Sequence, residues 1–238
     1  MKLRLFAASS ALLAASLFAA AGIATAGSIK GKVTFTGDAP QRRTIQMSAD
    51  PKCEEANPDG RTGDLFIVND GGAFQNVFVY VKEGLGDTKA EPPAEPAIID
   101  QQGCMYEPHI LGVVVGQTVE IRNSDATLHN VHALPENSKQ FNNAMPMKGM
   151  TIKKRFTSPE VMVRLKCDVH PWMSAYVGVL DHPHFAVTGA DGSFEIENLP
   201  AGTYTVEAWH EKAGTQTQKV TVSDDAPAAA DFSFAPKT

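Results

Sequence analysis

Between Gly27 and Thr238 no apolar stripe of helical period runs as long as the two-residue alternations do, which confines the chain to β architectures. Val33 and Phe35 alternate with Lys32 and Thr34, and Val119 and Ile121 alternate with Glu120 and Arg122. Val161, Val163, Leu165 and Cys167 alternate with Met162, Arg164 and Lys166. Each is the pattern of a strand with one buried face, and the last turns the Cys167 side chain toward the core. Further short strands are expected at 65–68, 77–81, 110–115, 118–122, 128–133, 150–156 and 176–180. Residues 37–63 are polar and turn-rich, 84–96 form a proline-rich connection, and 135–149 read as a long loop. After His182-Pro183-His184 tight turns take over, at 189–192 and 199–202. The chain is therefore expected to be all-β, with two sandwiches in tandem over 27–181 and 182–238. Within the first, residues 27–97 are expected to join a core at 98–181, because three strands and a long polar loop make a poor core alone.

The first 26 residues have a charged start at Lys2 and Arg4, an apolar run, and Ala24-Thr25-Ala26 as a small-residue cleavage site. That is the pattern of a secretory signal peptide, and it predicts an exported protein with no membrane association once the leader is removed. The formal charge of the whole chain is -6, and nine acidic against three basic residues lie from Asp181 onward. Nothing is basic enough to suggest a nucleic-acid partner. Three cysteines are an odd number for an exported chain. The simplest account pairs Cys53 with Cys104 and leaves Cys167 reduced.

Cys167, His170 and Met173 stand at C-x2-H-x2-M spacing, with His129 upstream. A thiolate, two imidazoles and a thioether are the donor set of a mononuclear copper electron-transfer site: three strong donors in a plane, and a weak one above it that tunes the potential. One tight loop delivers three of them, with Pro171 restricting its backbone. The fourth must come from a neighbouring strand, and His129 supplies it.

Several segments in this order carry a family resemblance: Tyr106, Val115-Gly116-Gln117-Thr118-Val119, His129-Asn130-Val131-His132, Met145-Pro146-Met147, and Cys167 through Met173. Residues 107–173 resemble the copper-binding half of a cupredoxin, of the amicyanin and plastocyanin type. The resemblance implies a Greek-key β-sandwich holding one type 1 copper on His129, Cys167, His170 and Met173. It leaves His132 outside the ligand set and has Asn130 tie its strand to the cysteine loop. It also implies a one-electron carrier and not an enzyme, with a c-type cytochrome or a periplasmic dehydrogenase as partner. His170, Pro171, Trp172, Met145 and Pro146 are the docking patch expected from it.

A binuclear centre would need a second cysteine in the loop, and a multicopper oxidase a His-Cys-His tripeptide; Cys167 stands between Lys166 and Asp168. His109 and His132 are expected to pack or hydrogen-bond, with a second metal site near Cys104 as the alternative. Residues 185–238 resemble the carboxypeptidase regulatory-like module, a small transthyretin-like sandwich, through 188–194, 199–204 and Glu207-Ala208-Trp209-His210. In sum, the sequence predicts a periplasmic copper electron carrier. Two rivals stay open: a periplasmic copper-delivery protein, and a structural β-sandwich protein with a vestigial site.

Overall fold

The computed structural model describes residues 26–87, 89–224 and 226–236. The leader expected over 1–26 lies outside these residues except for Ala26. The chain is all-β, as its alternations predict, apart from short helical segments at Pro51–Ala56 and Asp70–Gly72.

A first sandwich spans the middle of the chain. One sheet runs in the order Phe141–Met145, His129–Leu134, Glu160–Lys166, Ser174–Leu180, Ile110–Val114. The other runs Met150–Lys154, Val119–Asn123, Ala97–Gln102, Met105–Glu107. Ile99, Ile121, Val131, Val163, Leu165 and Val177 lie in the core shared by these strands, each at most 1% exposed. The loop expected at 135–149 contains the Phe141–Met145 strand, which pairs with His129–Leu134. Its Asn142-Asn143 centre hides the alternation from composition.

The second sandwich corrects the expected domain organisation. Gly27–Phe35 pairs with Ser193–Leu199 on one side and with Ala228–Ala229 and Phe232–Phe234 on the other. Phe78–Glu83 pairs with Phe185–Val187 and Gly202–His210. Ile29, Val33, Phe74, Val79 and Val81 thus share a core with Ile196, Leu199, Val206 and Phe232. Residues 27–35 and 74–83 belong with the C-terminal strands and not with 98–181, so the first sandwich is inserted in the second. The physical reason is that alternation shows a strand has one buried face without showing what covers it.

Phe78 and Tyr80 project from the opposite face of their strand into a third cluster, with Ile110, Leu180, Tyr176 and Phe185, where the sandwiches meet. Gly112 and Gly178 stand side by side on parallel strands there. A Cβ on Gly112 would lie 2.2 Å from the Phe185 ring, and one on Gly178 2.6 Å from the Phe78 ring. Two bare backbones make room for two aromatic rings.

Residues 37–63, which carry no periodic pattern, form a strap over the cysteine-loop end of the first sandwich. Asp50 caps Pro51–Ala56 by accepting from the Lys52 amide, with Pro51 at the helix start. Cys53 on this helix is bonded to Cys104, as the cysteine count suggests. Cys167 is free and buried.

Candidate metal centre

The Glu160–Lys166 strand feeds the cysteine loop. Val163, Leu165 and Cys167 face the core as the alternation predicts, at 2% exposure or less. Val161 does not: the pairing shifts register between Glu160 and Val163, and Val161 packs in the cluster between the sandwiches. Beyond Cys167 the chain closes on itself. The Cys167 amide donates to Met173 O (3.2 Å), and the Met173 amide donates to His170 O (2.9 Å). The His170 amide donates to Cys167 Sγ (3.4 Å).

His129 starts the neighbouring strand, pairing with Met145 at the same end as this loop. Its Nδ1 lies 3.0 Å from His170 Nδ1, and Cys167 Sγ lies 3.8 Å from the same His170 atom. His129, Cys167 and His170 thus bring three donor atoms within 4.8 Å of one another, all buried. Met173 is fully buried in the same core as Cys167 and is tied to both Cys167 and His170 through the loop backbone.

The far side of each imidazole decides its tautomer. His129 Nε2 lies 2.9 Å from Asp125 Oδ2, and His170 Nε2 lies 3.0 Å from Asp50 Oδ2. A carboxylate only accepts, so each Nε2 donates its proton, and Nδ1 is the atom each ring turns toward Cys167, a lone pair once any proton on it has left. Asp125 also accepts from the Gly103 and Cys104 amides, both at 2.8 Å. Burial pushes the Asp50 carboxyl upward, but hydrogen bonds from Thr127, the Lys52 amide and His170 outweigh it and bring it down to about 2. Asp125 is lowered in the same way, its hydrogen bonds from His129 and the Cys104 and Gly103 amides outweighing burial.

The thiol is prepared similarly. Burial opposes ionisation of Cys167, yet His129 and His170 bring it from 9.0 down to about 6. Burial disfavours the charged form of His129, and Asp125 and Cys167 outweigh that and raise it to about 9. Asn130 ties the strand to the loop as the resemblance implies: its Oδ1 accepts from the Asp168 amide (2.6 Å) and lies 3.3 Å from Cys167 Sγ.

His132 points elsewhere, pairing with Asp168 at 3.0 Å. His109 lies 2.5 Å from Glu211 and 3.0 Å from Ser174 O, so both act as hydrogen-bonding residues. The triads Asp50–Cys53–His170 and Cys104–Asp125–His129 also cluster, but their cysteines form the disulfide and offer no thiolate. Of the expected docking patch, Pro146 and Pro171 are exposed and Trp172 is half-buried, but two members are not at the surface. His170 is 2% exposed, because Asp50 and Cys53 of the strap lie against its outer edge, and Met145 is fully buried. Leu128 (44%) and Val169 (45%), next in sequence to His129 and His170, are further exposed apolar side chains.

Asp50 and Asp125 escape a sequence reading of the site. Asp50-Pro51 carries a helix-start signal. Nothing in the chain tells that this cap meets a histidine 120 residues later.

The profile of the carboxypeptidase regulatory-like domain matches residues 169–235. The match begins inside the cysteine loop, whose following strand belongs to the first sandwich, and it leaves out the strands at 27–35 and 78–83 that complete the second. Among solved structures, similarity is found to a purple cupredoxin from Nitrosopumilus maritimus, 26% identical, covering 35% of this chain and 98% of that one (TM-score 0.31). A Cu(I) form of an amicyanin variant is 28% identical, covering 39% of this chain and 99% of that one (TM-score 0.32). The copper-containing nitrite reductase from Thermus scotoductus SA-01 is 23% identical, covering 41% of this chain and 25% of that one (TM-score 0.35). No curated protein matches the chain.

Proposed function

We propose that this protein is an exported type 1 copper protein that carries single electrons between periplasmic redox partners. The observation that supports this reading best is the convergence of two imidazole Nδ1 atoms and the Cys167 sulfur in a buried pocket, each imidazole held from behind by a carboxylate. The donor set fits copper: a soft thiolate, two borderline imidazoles and the Met173 thioether nearby in the loop. His129, Cys167, His170 and Met173 would hold the ion, which would supply a one-electron couple.

The work of the chain is to keep those donors still. Asp125 fixes the ring of His129, Asp50 that of His170, and Asn130 with the His170 amide fixes the sulfur. Fixed ligands need little rearrangement when the charge at the site changes, which favours fast electron exchange. All four ligands are at most 2% exposed, which supports a resident ion over a delivered one, and a carrier over an enzyme with an open coordination position. Leu128 and Val169, each adjacent in sequence to a ligand histidine, are where a c-type cytochrome or periplasmic dehydrogenase would approach.

The test is a Cu(II) titration of the purified protein, followed by visible absorption and electron paramagnetic resonance, with Cys167→Ser as control. An intense blue band with narrow copper hyperfine splitting, lost in the variant, is expected. A colourless complex with square-planar parameters, the same in both proteins, would overturn the proposal.

A further inference from the structure

A cleft of about 1060 Å³ opens where the strap, the cysteine-loop sandwich and the C-terminal sandwich meet. Its size is that of a small-molecule site. Phe66, Trp172 and Tyr176 contribute aromatic walls. The charges in it are not balanced. Arg42 is engaged with Asp64 at 3.7 Å, and Glu211 with His109 at 2.5 Å. Arg43, Arg164 and Lys212 also line the cleft, and among the described residues none of them has a carboxylate within ion-pair distance. Asp38 is unengaged and Glu211 is paired only with a histidine, so the lining sets four cations, Arg42, Arg43, Arg164 and Lys212, against three carboxylates, Asp38, Asp64 and Glu211. Arg164 stands opposite Tyr176 on the paired strand, so the two side chains leave the same face of the sheet.

Trp172 joins this space to the metal centre. Its indole N–H donates to Cys104 O at 3.0 Å, which pins the ring. Its ring centroid lies 5.1 Å from that of His170. The strap closes the outer edge of His170, so Trp172 is a ring in contact with this ligand histidine that also borders the cleft.

We infer that the cleft is a binding site for a small aromatic anion, its ring against the aromatic walls that include Trp172 and its acid group on the cations of the lining, Arg164 among them. Aromatic faces supply area, and guanidinium groups supply charge-assisted hydrogen bonds to an acid. A ligand seated there lies one aromatic ring from His170.

Isothermal titration of the metal-free full chain with 2-naphthoate tests the site without reference to copper. The neutral 2-naphthylmethanol and the non-aromatic cyclohexanecarboxylate serve as comparison ligands. The expected result is a single saturable site that prefers 2-naphthoate by about tenfold over either comparison ligand. Arg164→Gln, on an exposed side chain, should remove most of the preference over the alcohol. Ala213→Trp, which fills the cleft wall, should abolish binding. No saturable heat up to roughly 5 mM, equal affinity for the alcohol, or binding unchanged in both variants would each overturn the inference. A copper-loaded sample carries a separate readout: 2-naphthoate should shift the thiolate–copper band. Binding without that shift would overturn the contact through Trp172 and leave the copper assignment untouched.

Discussion

Removing the Cys53–Cys104 disulfide by a Cys53→Ala, Cys104→Ala double substitution separates what the covalent bond does from what the strap does. The bond closes a loop with a sequence separation of 51 residues. The chain-entropy relation puts the cost of releasing such a loop in the unfolded state at about 4 kcal/mol at 25 °C. For a chain of this length, each kcal/mol moves the melting temperature by about 2–4 °C, so a fall of about 8–16 °C is expected. The native strap should stay in place, because it has other ties. Thr127 donates to Asp50 at 2.8 Å, Asn57 to Gly103 O at 3.0 Å, and Arg61 pairs with Glu107 at 2.7 Å. Asp50 in turn keeps His170 oriented. Calorimetry of the metal-free protein should therefore show the lowered melting temperature, while the copper-loaded variant keeps its absorption spectrum. A melting temperature within about 2 °C of the parent would refute the entropic argument, since loop closure would then constrain nothing. A lost copper spectrum would refute the claim that noncovalent contacts suffice to hold the strap.

Copper uptake should depend on pH with a definite sign. Between about 6 and 9, Cys167 is already a thiolate while His129 carries an extra proton, so binding releases about one proton and affinity rises about tenfold per pH unit. Below about 6 a second proton must leave Cys167 and the slope doubles; above about 9 it flattens. Calorimetry in buffers of different ionisation enthalpy counts the protons, and a release of two at pH 7.5 would contradict the thiolate–imidazolium pair. Gly112→Ala places a Cβ within 2.2 Å of Phe185 and should cost about 1–3 kcal/mol through overpacking, read as a lower denaturation midpoint. An isolated 182–238 fragment should show no dispersed amide spectrum, because Ile29, Val33, Phe74, Val79 and Val81 supply part of its core. A folded fragment would show that those strands are dispensable.

Much of the candidate metal centre is legible locally. Cys167, His170 and Met173 lie within seven residues, and a loop that short cannot place them far apart. The period-two run at 161–167 points Cys167 inward wherever the strand sits, although the register shift that turns Val161 away shows the limit of that rule. His129 takes more, since only the resemblance of its His-Asn-Val-His stretch selects it over His132. The odd cysteine count leads to Cys53–Cys104, and the absence of a long helical stripe to an all-β chain.

What tertiary structure alone decided is partnership. Gly27–Phe35 reads as a strand with one buried face, but its partners begin at Ser193 and Ala228, and a hydrophobic face is satisfied by any complementary one. Asp50 reads as a helix cap, yet it also closes the edge of His170 and removes that ring from solvent. The cleft exists only because three segments distant in sequence meet around Trp172. Alternation, spacing and turn chemistry report the local backbone, whose preferences are set within a few residues. Which buried faces, carboxylates and cations come together is set by packing the whole chain at once, through contacts that are non-directional and indifferent to sequence separation.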